Sequence, residues 1–305
     1  LLSTIVVMAV VALVVFSLLY FTPGDPAAIL AGDAATDDDI RNIRSKLGLD
    51  QPFLARFGGW VWSLLHGDLG TSIFTNLPVT HLIAQRVEPT VSLTVLTLMV
   101  SIAVAVPLGV VAAARAGSWI DRAVMAFSVL GFSVPVFVLA YILILVFSIE
   151  LQWLPVQGYR SFHEDFWDWL RHLVLPSVAL GTVYIALIAR ITRASMLDVL
   201  AQDYVRTAQA KGLAPGAVLI GHALKNAAVP IVTIIGIGIA LLIGGAVVTE
   251  TVFAIPGIGR LTVDAILRRD YPVIQGVILM FSGVYVLINL AVDLSYMVFD
   301  PRIRY

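Results

Sequence analysis

The sequence predicts an all-α integral membrane protein, and three observations carry that prediction. Of 305 residues, 59% are hydrophobic and only 13% charged, whereas soluble domains hold roughly a quarter charged residues. Charge-free runs of about twenty residues, the length that crosses a bilayer as a helix, recur six times. No cysteine is present, so disulfides, thiolate metal sites and cysteine nucleophiles are excluded. The formal net charge of −1 gives no global basis for a nucleic-acid partner.

The expected spans run, in order, over about 1–22, 89–114, 123–149, 173–195, 226–249 and 271–297. The first opens at Leu1, already inside an apolar run, and residues 1–24 carry no charge. It lacks the positive n-region of a signal peptide, so it reads as a span, preceded by a short piece outside the numbered chain. Residues 23–88 form a sizeable outer segment with an acidic run from Asp33 to Asp39 and an expected helix over 37–47. Pro107, Pro135, Pro176 and Pro230 fall inside spans, where the carbonyls they free must find partners within the bundle. The fourth span is short and continues past Arg190 as a helix leaving the membrane. Trp153, Trp167 and Trp169, between the third and fourth spans, suit a membrane interface. In the fifth span Gly236, Gly238, Gly244 and Gly245 allow close helix approach; they are also candidates for lining a pathway between bundles.

Six spans put both termini on one side. With the long 22–88 segment set aside, that side holds Arg115, Arg122, Arg190, Arg193, Arg206, Lys211, Lys225, Arg302 and Arg304. The other holds Arg160, Arg171, Arg260, Arg268 and Arg269. The positive-inside rule then places the termini and the 199–225 loop in the cytoplasm.

Several chemistries find no support. No G-x-x-x-x-G-K-[ST] loop occurs, and Gly67-Asp-Leu-Gly-Thr-Ser72 reads as a plain turn. None of the five histidines lies in a span or forms a ligand set. Ser133 in Gly-Phe-Ser-Val-Pro has no intramembrane histidine to act as its base. An ion-coupled carrier is the better rival, but such proteins hold ionisable groups deep in the bilayer. Here the span cores read as uncharged, with Asp293 near a helix end.

The informative exception is residues 203–230, DYVRTAQAKGLAPGAVLIGHALKNAAVP. Apolar Val205, Ala208 and Leu213 alternate with polar residues, and Gly212 with Pro215-Gly216 makes a C-cap and turn. A second amphipathic helix follows. Such a hairpin suits a lipid surface or a groove on a partner, and periodicity alone does not separate the two.

The run Asp203 to Leu213, followed by His222-Ala-Leu-Lys-Asn226 and Pro230, resembles the cytoplasmic "EAA" loop of ABC importer permeases, specifically the dipeptide/oligopeptide/nickel family. Gly212 matches the loop glycine, while Arg206 stands where the general pattern has glutamate. Further motifs agree along nearly the whole chain: Pro23-Gly-Asp-Pro26, Leu47-Gly-Leu-Asp-Gln-Pro52, Gly67-Asp-Leu-Gly70, Glu250 to Arg260, Arg269-Asp-Tyr-Pro272 and Asp300-Pro-Arg302. The N-terminal ones resemble the "B" type of permease.

The resemblance implies the type I importer permease fold and a non-catalytic subunit of the bacterial inner membrane. It implies a heterodimer with a "C"-type permease, two cytoplasmic ATPases that bind ATP and Mg, and an extracytoplasmic binding protein. This chain would contact lipid but bind no cofactor itself. The hairpin becomes a coupling helix that docks in an ATPase cleft through Asp203, Tyr204, Arg206, Ala208, Lys211, Gly212, Leu213, His222 and Asn226. Glu250, Phe253, Pro256, Gly257 and Gly259 are expected at the outer mouth. The cargo class is peptides, or relatives such as haem, glutathione or nickel chelates.

Overall fold

A computed structural model describes residues 2–21, 27–28, 36–46 and 50–299. The motifs Pro23–Pro26 and Asp300–Arg302, residues 47–49 and residues 33–35 of the acidic run lie outside the described residues. Among the described residues the helices used below are, in order, α1 Leu2–Phe21, α2 Asp37–Lys46, α3 Phe53–Leu65, α4 Val79–Ala114, α5 Trp119–Ser133 and α6 Val136–Leu143. After them come α7 Phe166–Leu200, α8 Asp203–Ala210, α9 Pro215–Ala217, α10 Ala228–Val252, α11 Ile258–Arg268 and α12 Tyr271–Phe299. Both α6 and α9 continue as π-helical turns, over Ile144–Glu150 and Val218–Leu224. No β-strand occurs among the described residues.

An apolar helix lies at each of the six expected positions. By length and composition three are single spans, Val79–Ala114, Phe166–Leu200 and Tyr271–Leu294, and two bent pairs make five if each counts as one. The third expected span is sharply bent: α5 and α6 meet at 102°. The physical cause is Pro135, which drives the preceding Val134 into extended backbone (φ −89°, ψ 121°) and removes a helical donor. The second helix also starts ten residues earlier than the charge-free run, taking in Gln85, Arg86 and Glu88.

The chain divides into two compact units. In the first, residues 1–87 with 261–286, Phe16 of α1 inserts among Phe53, Phe57 and Trp60 of α3, with ring centroids 5.2–5.5 Å apart. The loop before α4 closes through Ser72 N–H to Leu77 O and Val79 N–H to Gly70 O. It is tied to the corner between α11 and α12. The Asp270 carboxylate accepts from Ser72 Oγ (2.5 Å) and Ile73 N–H (3.2 Å). Two motifs some 200 residues apart, Gly67–Ser72 and Arg269–Pro272, therefore form one structure.

The second unit, residues 88–260 with 287–305, is built around α7. Some 67% of that helix's apolar window is buried, against 28% for α4. Leu93, Val124, Ala140, Leu180, Ile188, Leu242 and Phe253 form one core with it. Small residues set the spacing: a Cβ at Gly109 of α4 would lie 2.5 Å from Thr192 Cβ and 2.7 Å from the Ala189 carbonyl of α7, closer than van der Waals contact allows. At one end of this pair, buried Asp121 receives both Arg193 Nε and Arg193 Nη2, the latter at 2.8 Å, plus Gly117 N–H at 2.9 Å.

Candidate functional site

The hairpin folds as its punctuation predicts. Helix α8 stops at Lys211 because Gly212 takes φ +79°, a left-handed conformation that glycine adopts without strain. The Gly212 N–H then bonds Gln209 O (2.9 Å) and the Leu213 N–H bonds Ala208 O (3.3 Å). Pro215 opens the next helix at its first position, where a missing N–H costs nothing.

Its two faces are sharply different. Val205, Val218 and Ala223 are buried at 0%, 1% and 0% exposure. Ala223 joins Ala113, Met196, Ala227 and Ile231, so the hairpin sits on the ends of α4, α7 and α10. Asp203, Tyr204, Arg206, Lys211, Gly212, Leu213, His222 and Asn226 are all exposed, and Ala208 is half-buried. Leu213 (41%) and Ile220 (68%) are large apolar side chains left in the open. Arg206 meets only Asp203, at 3.5 Å, with both side chains mostly exposed; such a pair contributes little. Asn226 Nδ2 donates to His222 O at 2.7 Å. The result is a short rigid knob, apolar at its tip, with cations at its sides and its base packed into the bundle.

The Glu250–Arg260 stretch is arranged differently from the expectation. Glu250, Phe253, Gly257 and Gly259 are buried, and of the five expected mouth residues only Pro256 is exposed. Glu250 has 0% exposure and its carboxylate accepts from Thr90 Oγ1 (2.6 Å) and Arg260 N–H (2.9 Å). Thr90 Oγ1 in turn accepts from Ile258 N–H (2.8 Å). The carboxylate thus accepts the Arg260 N–H directly and reaches the Ile258 N–H through Thr90, at the first turn of α11, where negative charge is favoured. A Cβ at Gly257 would fall on that carboxyl, and one at Gly259 would lie 2.6 Å from Val247 Cα. Both positions are glycine because the acid needs the space. Glu250, Phe253, Gly257 and Gly259 therefore form the internal frame of the turn, with Pro256 exposed on it.

A second polar hub, absent from the sequence reading, lies in the same unit. Glu88 accepts from Ser161 Oγ (2.6 Å), Tyr159 O–H (3.1 Å) and Phe162 N–H (3.2 Å). The same loop donates Gly158 N–H to Phe253 O at 2.9 Å. Thr90 and Glu88 flank Pro89 at the edge of an apolar run. A hydroxyl and a carboxylate bracketing a proline there was the available signal.

Of the pathway candidates, Gly236 abuts Val292, Gly238 lies against the Tyr184 ring (Cε1 3.1 Å from a built Cβ) and Gly245 against Leu180 (2.6 Å). Gly244 faces open space. Three of the four thus serve helix packing within the chain itself.

Comparison with known proteins gives a consistent picture. Residues 105–305 match the family described as binding-protein-dependent transport system inner membrane component, and residues 1–94 match its N-terminal companion. A probable peptide ABC transporter permease protein, y4tP, of Sinorhizobium fredii is 57% identical over 305 residues, covering 100% of this chain and 97% of that protein. The glutathione transport system permease protein GsiC of Escherichia coli is 43% identical over 305 residues, with the same coverage. The dipeptide transport system permease protein DppB of Alkalihalophilus pseudofirmus is 40% identical over 325 residues, covering 100% and 98%. Among solved structures, an inward-facing MetNI methionine ABC transporter chain superposes with a TM-score of 0.60 at 19% identity, covering 72% of this chain and 97% of that one. At that identity the likeness speaks to the fold alone.

Proposed function

This chain belongs to the family of binding-protein-dependent transport system inner membrane components, and from that premise we propose that it is the "B"-type permease of a peptide importer driven by partner ATPases. It is a multi-pass protein of the inner membrane with a transport role. The reading goes further: the chain pairs with a homologous "C"-type permease, two cytoplasmic ATPases supply ATP hydrolysis with Mg, and an extracytoplasmic binding protein delivers cargo. Both termini lie in the cytoplasm, and this chain binds neither ATP nor metal. Peptide cargo is supported by the names of its relatives, which include peptide, dipeptide and glutathione systems.

One observation carries the coupling role. The hairpin buries Val205, Val218 and Ala223 against the ends of three long helices while Tyr204, Leu213 and Ile220 stay exposed at its tip. A knob with a fixed base and an apolar tip fits a cleft on another protein, and force applied to it reaches α4, α7 and α10 through packed side chains. A helix lying on lipid would instead turn its buried face outward. Purification of the tagged chain after co-expression of its operon tests the proposal. Stoichiometric recovery of a second permease and two ATPases, with ATP-dependent peptide uptake, is the expected result. Uptake by the isolated chain driven by a proton or sodium gradient would refute it.

A further inference from the structure

Arg190 stands where the charge-free run of the fourth span ends, and in linear sequence it counts as a loop cation. The structure places its guanidinium elsewhere, 5.4 Å from the centroid of the Phe132 ring. Phe132 lies eleven residues beyond Asp121 along α5, roughly 16 Å at the helical rise. Side chains on the two antiparallel helices lean towards their own N-termini, so Arg190 reaches inward and Phe132 leans back to meet it. The guanidinium therefore sits on the order of 10 Å further into the apolar stretch than the Asp121–Arg193 pair.

Arg193, one turn away, is satisfied by buried Asp121. Arg190 is exposed on the chain and, among the described residues, has no carboxylate within ion-pairing distance. Phe132, 45% exposed, covers one face of it and leaves the edge, with its fork of donors, open. It lies beside the break at Val134–Pro135 where α5 bends into α6. An unpaired cation at that depth is costly in lipid and belongs to a bundle interior or a water-filled path.

We infer that Arg190, braced by Phe132, is a carboxylate-binding site on the cargo path. This rests on the permease reading above. A guanidinium edge accepts a carboxylate with two parallel hydrogen bonds, and a ring on its face holds the fork in plane. Every peptide with a free C-terminus brings one such group whatever its side chains are. A cation so placed thus handles varied cargo through its one constant feature. Lipid phosphates and acidic side chains of cargo share this anionic chemistry, and the test separates them.

The complete complex, reconstituted in proteoliposomes with its loaded binding protein, is assayed for uptake of trialanine and trialanine amide. Each is used at saturation of the binding protein, with wild type, R190K and R190Q. Wild type is expected to carry the acid about tenfold faster than the amide, the discrimination of a charge-assisted hydrogen bond. R190Q should lose that preference by slowing the acid alone, and R190K should restore part of it. Equal slowing of acid and amide, or a loss that tracks the anionic-lipid content of the vesicles, overturns the assignment, as does wild-type selectivity in R190Q. No ATP-dependent uptake of either probe by the wild-type complex would instead strike the permease reading, and this inference with it.

Discussion

Replacing Gly212 by valine isolates the hairpin's shape from its contacts. Residue 212 holds φ +79°, and a Cβ built there meets nothing within 4 Å. The penalty is therefore purely conformational. A left-handed backbone costs an L-residue about 1–2 kcal/mol, and a β-branched one more. That reduces the ratio of correctly turned to misturned hairpin by a factor of about 5 to 30. Ala should cost less than Val, and Asn, which tolerates this conformation, least. Because Val205, Val218 and Ala223 still seat the base, all three variants should assemble with wild-type yield. The assay is binding-protein-stimulated ATPase activity and ATP-dependent uptake by the purified complex. The expected order of activity is Gly, Asn, Ala, Val, with Val down about tenfold. Wild-type coupling in G212V, or a loss of assembly that follows no conformational order, would refute the reasoning.

Two further predictions concern buried carboxylates. Glu250→Ala leaves Thr90 Oγ1 and the Arg260 N–H without the acceptor they use; at about 1.5–3 kcal/mol for each hydrogen bond to a charged group, the complex should melt several degrees lower. Glu250→Gln keeps part of the acceptor set and should fall between, while Gly257→Ala, whose Cβ lands on the carboxyl, should match Glu250→Ala. Asp121→Asn strands Arg193 in a partly buried site at a cost of about 3 kcal/mol, and the exchanged pair D121R/R193D should recover some of the lost thermal stability. Absence of that recovery would mean the two residues act separately.

How much of this was legible in the sequence varies by element. The apolar helices were, because a bilayer demands long charge-free runs and α4, α7 and α12 obey. The hairpin was legible in its punctuation, Gly212 and Pro215, but its buried face only in part: Val205 is buried as the apolar pattern suggests, whereas Leu213, grouped with it, is exposed. The bend at Pro135 was visible as a kink but not in size, since its angle depends on what α5 and α6 pack against. The role of Glu250 was not accessible. Its partner Thr90 lies 160 residues away, and a linear reading that puts an acid just past a span naturally assigns it to a surface. Asp121 and Arg193 look like ordinary loop charges at positions 72 apart. The stacking of Arg190 on Phe132 was not legible either, because the end of an apolar run locates a Cα, whereas a long side chain carries its charge up to about one turn away.

The central claim is that this chain moves cargo only when its hairpin is engaged by ATPases. The measurement that tests it most directly is ATPase activity of the co-expressed complex in nanodiscs, with and without candidate binding proteins loaded with peptide. The account predicts that one loaded binding protein raises hydrolysis several-fold and that G212V cuts that stimulation about tenfold. Failure to recover any ATPase with the chain, together with gradient-dependent uptake by the chain alone, would contradict it.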